Sequence, residues 1–92
     1  MKMLYALICK DKPNSLEVRM ANREDHLAYA ASTGAVVLGG PMLDEDGNMC
    51  GSLLAVEAED LAAAKAWSES DPYAKAGLFE SVEITAWKKV IG

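Results

Sequence analysis

Two segments of this chain are apolar at nearly every position, and they restrict its possible folds more than any other feature. Residues 3–9 read MLYALIC and residues 52–56 read SLLAV. Short apolar runs bounded by turn-forming residues are typical of strands that are buried on both faces. The sequence therefore predicts two central strands of one sheet.

A helix is predicted to follow the first strand. Asn14 can accept a hydrogen bond from the free amides of a first turn, and Glu17 three positions later completes a capping-box pattern. The helix is expected to end near Thr33, because Gly34 then provides a C-terminal stop.

The spacing along this helix indicates which of its sides faces the sheet. One stripe is apolar and is predicted to pack on the sheet; it consists of Leu16, Met20, Leu27 and Ala31. A second row borders this stripe and is expected to be neither fully buried nor fully exposed; it consists of Arg19, Arg23 and His26.

The remaining elements complete a recognisable order. Residues 35–38 are predicted to form a short edge strand that bends or stops at Gly39, Gly40 and Pro41, and the polar residues 44–48 a hairpin loop. Acidic residues open a second helix over 61–67, and residues 78–87 alternate like a strand. The order β-α-β-β-α-β is that of the ferredoxin-like fold, an α+β architecture with an antiparallel sheet.

The predicted sheet has one apolar face more than its helices can cover. Helices in this order lie on one face only, so the second face needs another partner, and a second copy of the chain is the simplest one. We therefore expect a homodimer formed through the sheet face. Residues 1–92 contain no linker and no internal repeat, which predicts a single domain.

Composition excludes several classes of function. The net charge is −5 and the nine Lys and Arg residues are dispersed, whereas nucleic-acid binding needs a basic face. The apolar run near the start is too short to span a membrane. Cys9 and Cys50 lack metal-binding or redox spacing, and the acidic loop lacks the spacing of a calcium site. We expect a cytoplasmic protein without a membrane segment or a bound metal.

His26 is the only histidine and the best candidate for proton transfer near neutral pH. A carboxylate usually orients such a base, and Asp71 is a candidate if the end of the second helix approaches the first helix. The alternatives are a polar border residue for His26 and a helix cap for Asp71, which precedes Pro72. One oxygen of Asp71 could cap the turn while the other accepts from the imidazole.

Several motifs together are similar to a known family. They are ANREDHL in the first helix, GGP after the second strand, GSLLAVEA in the third strand, and AAAKAWSESDPYAKAGLFESVEI over the last part of the chain. The chain resembles the YCII-related (YciI-like) family over essentially its whole length. Arg-x-x-His-Leu and Asp-Pro-Tyr-x-x-Ala-Gly are the most specific parts of the match.

This resemblance implies a dimeric α+β barrel built from ferredoxin-like subunits. It places the family's proposed catalytic His and Asp on His26 and Asp71, and the arginine of its first helix on Arg23. The family's glycine-proline and glycine-serine positions fall on Gly40, Pro41, Gly51 and Ser52. Most members have unknown substrates, and one branch is similar to a dehydrochlorinase of a chlorinated muconolactone.

The sequence and the resemblance together predict a small enzyme that needs no cofactor. His26 and Asp71 would carry out acid/base chemistry of the isomerase or lyase (dehydrochlorinase) type on a small anionic substrate. The predicted substrate-binding residues are Arg19, Arg23, Gly40, Pro41, Ser52 and Tyr73; arginines match carboxylates in bidentate geometry, while Tyr73 has a simpler interpretation as a core residue. The alternative is a non-catalytic module that binds a small ligand in the same cleft.

Overall fold

The structure is a computed structural model that describes residues 2–92. Its four strands form one antiparallel sheet in the order β2-β3-β1-β4. The elements are β1 (Met3–Asp11), α1 (Leu16–Thr33), β2 (Val36–Leu43), β3 (Met49–Ala58), α2 (Leu61–Glu69), α3 (Pro72–Lys75) and β4 (Phe79–Trp87). The predicted α+β, ferredoxin-like arrangement is confirmed.

The two doubly apolar segments form the centre of the sheet, as predicted. Tyr5 of β1 lies opposite Val56 of β3, and Leu7 lies opposite Leu54. All four side chains are buried on the face that the helices cover. The other face is more open, since Leu53 retains 43% of its accessible surface and Trp87 retains 42%. The core therefore lies between one sheet face and the helices.

β2 continues further than the sequence indicated. The prediction had the strand bend or stop at the glycines, but β2 runs through Gly39, Gly40 and Pro41 and ends at Leu43. It pairs with β3 alone and is an edge strand. An edge strand tolerates proline because the missing amide need not reach a neighbouring strand. The predicted hairpin loop follows, closed by Asp44 and by Gly47 at φ 83°.

The start of α1 differs from the prediction. The helix begins at Leu16, so Ser15 and not Asn14 occupies the N-cap position. Asn14 instead adopts a left-handed conformation at φ 57°, which asparagine tolerates better than most residues. The Ser15 hydroxyl donates to the Pro13 carbonyl and makes no cap bond, so the expected capping box does not form. The predicted stop at Gly34 is confirmed, with φ at 63°.

The inward side of α1 is also different from the predicted one. Met20 and Leu27 keep 53% and 49% of their accessible surface, whereas Arg19 and His26 are buried. Each buried residue precedes one member of the apolar stripe, and one residue corresponds to about 100° of helix rotation. The helix is therefore turned so that Arg19 and His26 of its polar row point inward, because their hydrogen-bond partners lie there.

Two short helices complete the chain before β4. Asp60 caps α2 by accepting from the Ala63 amide at 2.8 Å, and α2 buries Ala64 and Ser68. Asp71 caps α3 with Pro72 in the first turn, which confirms the predicted cap. Within residues 2–92, no helix combines the length and apolar character needed to cross a membrane.

Candidate active site

The only histidine contacts the aspartate that the sequence suggested. His26 Nδ1 lies 2.8 Å from Asp71 Oδ1, and both residues are buried. α1 supplies the histidine and the cap of α3 supplies the carboxylate, so the pair depends on the packing of α1 against α3. The separation is a direct hydrogen bond, with no room for a bridging water.

One oxygen of Asp71 makes both contacts. Asp71 Oδ1 accepts from the Tyr73 amide at 3.0 Å and also faces His26. The expected division of the two roles between the two oxygens is therefore wrong. Since a second donor already shares Oδ1, the cap fixes the carboxylate in the position where it meets the imidazole.

This contact determines which imidazole nitrogen is available to a ligand. An ionised carboxylate can only accept, so Nδ1 carries the hydrogen and Nε2 presents its lone pair. No residue in the 2–92 range donates to or accepts from Nε2, yet no buried side-chain nitrogen or oxygen of that range lacks a partner. Nε2 is therefore accessible, and the opening beside His26 is the pocket described below.

Tyr73 holds the imidazole from one side. The two rings are stacked at 4.0 Å between centroids and 12° between planes, and Phe79 meets the Tyr73 ring edge-on at 6.1 Å. Burial raises the pKa of Tyr73 and outweighs the opposing charges of Arg19 and Arg23. Its hydroxyl is therefore neutral and able to donate a hydrogen bond at neutral pH.

Arg19 lies over the same tyrosine and is already paired. Its Cζ is 4.7 Å from the Tyr73 ring centroid. Nε and Nη2 donate to the two carboxylate oxygens of Asp11 at 2.7 and 2.9 Å, and Nη2 also donates to Ser52 Oγ at 2.9 Å. Burial opposes the charge of Arg19, but the hydrogen bond and the attraction of Asp11 raise its pKa overall.

These side chains surround a small pocket between α1 and the β2–β3 edge of the sheet. Its volume is about 130 Å³. Seven of the eight predicted site residues line it, namely Arg19, Arg23, His26, Gly40, Pro41, Ser52 and Tyr73, whereas Asp71 stands behind His26. The rest of the lining, here called the apolar wall, consists of Leu27, Ala30, Val36, Gly39, Met49 and Leu54.

Sequence reasoning missed Asp11 and the apolar wall. Asp11 lies at the end of β1, where the register with β4 shifts between Lys10 and Asp11, and its carboxylate meets Arg19 of α1. Gly51 does not line the pocket; a Cβ there would collide with the Cys9 carbonyl, so its role is strand packing.

Arg23 is exposed and has no ion pair within the described range, which makes it the pocket's unpaired cation.

The chemical groups present are those of proton transfer. Residues 2–92 contain no group of three or more His, Cys, Asp or Glu side chains placed to hold a metal ion. Cys9 lies under the site, but burial and the negative charge of Asp71 raise the pKa of its thiol to about 12. The thiol is therefore protonated and unreactive at neutral pH, which leaves the imidazole as the available base.

Comparison with known proteins agrees with the motifs and the fold. The model of the YCII-related domain matches residues 3–88. The chain belongs to the YCII-related family. Protein YciI of Escherichia coli O6:H1 is 39% identical over 97 residues, covering 96% of this chain and 99% of the relative. An uncharacterized protein of Haemophilus influenzae is 36% identical with the same coverage.

Solved structures extend this similarity. The 5-chloro-2-hydroxyhydroquinone dehydrochlorinase TftG of Burkholderia phenoliruptrix, in complex with 2,5-dihydroxybenzoquinone, is 39% identical, with a TM-score of 0.85 and 94% of each chain covered. By its name it acts on a chlorinated hydroxyhydroquinone, not the muconolactone that the resemblance suggested. A putative antibiotic biosynthesis monooxygenase of Bacteroides thetaiotaomicron, at 15% identity and a TM-score of 0.61 over 98% of this chain and 90% of its own, shares the fold.

Proposed function

We propose that this YCII-related protein is a small acid/base enzyme of the lyase (dehydrochlorinase) or isomerase type, acting on a small oxygenated ring compound. The observation that carries the proposal is the imidazole of His26, with Nδ1 held by Asp71 and Nε2 open to the pocket. An oriented base with one free nitrogen is what proton abstraction requires. The dehydrochlorinase activity of a relative at 39% identity supports the same reaction class.

The proposed chemistry begins at His26. Nε2 takes a proton from a hydroxyl group or from a carbon next to a carbonyl, and Asp71 stabilises the imidazolium that forms. In an elimination, the electrons of the broken O–H or C–H bond form a new C=O or C=C bond while the electron pair of the C–Cl bond leaves with chloride, and the imidazolium then gives its proton to water. In an isomerisation, His26 returns the proton to a second carbon of the same substrate. Acid/base assistance of this kind contributes roughly 10²- to 10⁴-fold, so the substrate must already be fairly reactive.

The pocket suits one six-membered ring with oxygen substituents on one side. A volume of about 130 Å³ is close to that of engineered cavities of roughly 150 Å³ that bind benzene. The apolar wall would contact the ring. The Tyr73 hydroxyl would donate to a ring oxygen, and Arg23 would pair with a carboxylate or phenolate. Arg19 and Ser52 are hydrogen-bonded to each other and would contact the ring through their remaining hydrogen-bonding capacity.

We also propose that two copies of the chain associate through the open sheet face. Leu38, Leu53 and Trp87 are 42–46% exposed on or beside that face, and a second copy would remove them from water. Light scattering in solution would measure the mass. Leu53→Asp, which puts a charge at the centre of this face, should halve it, and an unchanged mass would place the contact elsewhere.

The two free cysteines, Cys9 and Cys50, fit a reducing, cytoplasmic compartment.

The alternative is a module that binds the same ligands without turnover, and one variant separates the two functions. The unsubstituted chain would be screened with chlorinated hydroquinones, halogenated acids and small unsaturated lactones, following chloride release and ring absorbance. His26→Ala should abolish turnover while the chain stays folded, and Asp25→Ala, an exposed neighbour on α1, is the matched control. Turnover retained in His26→Ala removes His26 from the mechanism; binding without turnover by the unsubstituted chain supports the module.

A further inference from the structure

A continuous series of contacts leads from His26 to a carboxylate on a different strand. The imidazole stacks on Tyr73, the guanidinium of Arg19 lies over the same ring, and Asp11 of β1 holds that guanidinium through two hydrogen bonds. Both partners of this ion pair are buried, with side-chain exposures of 3% and 6%. Asp11 does not line the pocket that holds His26.

The pairing changes what Arg19 presents to the site. A planar guanidinium held at two points cannot rotate, so it offers a fixed surface to the aromatic ring. Its positive charge is matched by the carboxylate of Asp11. A buried arginine that lost this partner would leave an uncompensated charge, which is strongly unfavourable. Asp11 therefore fixes both the position and the charge balance on one side of the stack.

We propose that Asp11 is a positioning residue for His26, acting through the Arg19 guanidinium and the Tyr73 ring. The inference rests on the proposed role of His26 as the acid/base group. In this proposal the ion pair with Asp11 keeps Arg19 near the imidazole and offsets the positive charge of its guanidinium. Asp11 itself does not meet the substrate, because the Arg19 side chain stands between it and the pocket.

Few other charged or titratable groups lie near His26, so few can mask the influence of the Asp11–Arg19 pair on the imidazole. Asp71 and Tyr73 face the imidazole from α3, and Arg19 and Arg23 accompany it on α1. The pKa of Tyr73 lies above its ordinary value, so this ring stays neutral below pH 9.

Two further groups lie near the carboxylate of Asp71. Cys9 of β1 and Tyr29 of α1 both have a raised pKa, caused mainly by burial and in part by the charge of Asp71. Both are therefore neutral below pH 9 as well. Between pH 4 and 9, the charges that act on the imidazole come from Asp71, from the Arg19–Asp11 pair and from Arg23.

The chain offers a direct test because His26 is its only histidine. Carbon-detected or proton–carbon NMR spectra of the full chain, recorded from pH 4 to 9, report one imidazole without any enzymatic assay. In Asp11→Asn, Arg19 keeps its charge and loses its counter-charge, so the protonated imidazole is disfavoured. We expect the titration midpoint of His26 to move to lower pH by about half a unit to one unit.

The matched control is Asp46→Asn, which removes the same charge from the exposed hairpin loop and should move the midpoint by less than about 0.2 units. A folded Asp11→Asn chain whose midpoint stays with the control would overturn the proposal. If His26 proves not to be catalytic, this titration is unaffected, so the two proposals fail separately.

A second variant covers the case in which Asp11→Asn does not fold. Asp11→Asn combined with Arg19→Gln leaves no buried charge unpaired, and replacing both partners is far less destabilising than removing one. Without the held guanidinium, the Tyr73 ring should tilt, and the His26 ring protons should lose the upfield shift that a ring stacked at 4.0 Å causes. Unchanged imidazole shifts in this folded double variant would contradict the proposed positioning role.

Discussion

The helices α1 and α2 cover the same face of one sheet but bury opposite kinds of side chain. α2 buries Ala64 and Ser68, which are small. α1 buries Arg19 and His26 and leaves Met20 and Leu27 about half exposed. An ordinary amphipathic helix turns its apolar stripe inward. α1 does the reverse, because Asp11, Ser52 and Asp71 offer hydrogen-bond partners for its polar row.

This difference separates stability from function within one layer. The α2 side adds small side chains to an apolar core that includes Leu7, Leu54 and Val56. The α1 side contributes an ion pair and a histidine pair, which contribute little net stability once the loss of hydration is counted. We infer that α1 is held in this orientation for the site, while the central strands and α2 supply most of the folding free energy.

The largest predicted effect concerns the two aspartate caps, since only one of them faces α1. Asp71→Asn should lower turnover by roughly 10²- to 10⁴-fold, because the imidazolium loses its counter-charge and the histidine its preferred tautomer. Asp60→Asn at the cap of α2 should leave turnover unchanged. Asparagine caps helices about as well as aspartate, so steady-state kinetics of both variants isolate the contact with His26.

Equal kinetics for the two asparagine variants would contradict this interpretation and reduce Asp71 to a cap. Circular dichroism and urea unfolding provide the necessary check that both chains remain folded. A loss of stability in Asp71→Asn without a loss of turnover would likewise mean that Asp71 serves the fold and not the reaction.

The second prediction tests whether the stability lies in the sheet core and not on the outer side of α1. Leu7→Ala removes a fully buried side chain and should lower the free energy of unfolding by roughly 2–5 kcal/mol. Met20→Ala removes a side chain of the apolar stripe that is 53% exposed and should change it by about 0.5 kcal/mol or less. Urea unfolding at pH 7 measures both. Comparable losses would show that the stripe is covered in solution.

The fold was predictable from the sequence because its signals are local. Residues 3–9 and 52–56 are apolar on both faces, and that alone identified the central pair of strands. Gly34 marked the end of α1 for a backbone reason, its positive φ. The start of α1 was not predictable in this way, since Asn14 and Ser15 are both good caps and the choice between them depends on how the chain leaves β1.

The site was predictable only in part, because hydropathy and burial disagree there. His26 and Asp71 were found through their residue types and their motifs. The inward rotation of α1 was not found, since Met20 and Leu27 give the stronger periodic signal. Arg19 is buried only because Asp11 meets it across the end of β1. Such a pairing depends on how the chain passes from β1 into α1, which the residue types near Asp11 do not encode locally.

The third prediction separates the ring of Tyr73 from its hydroxyl. Tyr73→Phe keeps the stack on His26 and removes the hydroxyl that we propose as a hydrogen-bond donor to the substrate. We expect KM to rise about three- to tenfold with kcat nearly unchanged, as a single neutral hydrogen bond is worth roughly 0.5–1.5 kcal/mol. Tyr73→Leu, which also removes the stack, should lower kcat. If both variants behave alike in steady-state kinetics, the stacked ring has no role in holding the imidazole.

The smallest predicted effect concerns the two cysteines, one under the site and one near the hairpin. The folded chain holds the pKa of Cys9 at about 12, whereas an unfolded thiol has the ordinary value of 9.0. Above that pH the unfolded chain releases its proton first, so the stabilising contribution present at neutral pH is lost as the pH rises from about 9 toward 12. The free energy of unfolding should fall by about 1 kcal/mol between pH 8 and pH 10. Cys9→Ala should remove this dependence of stability on pH, and Cys50→Ala should keep it. Urea unfolding at the two pH values measures both variants. The same pH dependence in both would mean that the Cys9 thiol is less enclosed than the packing of β1 indicates.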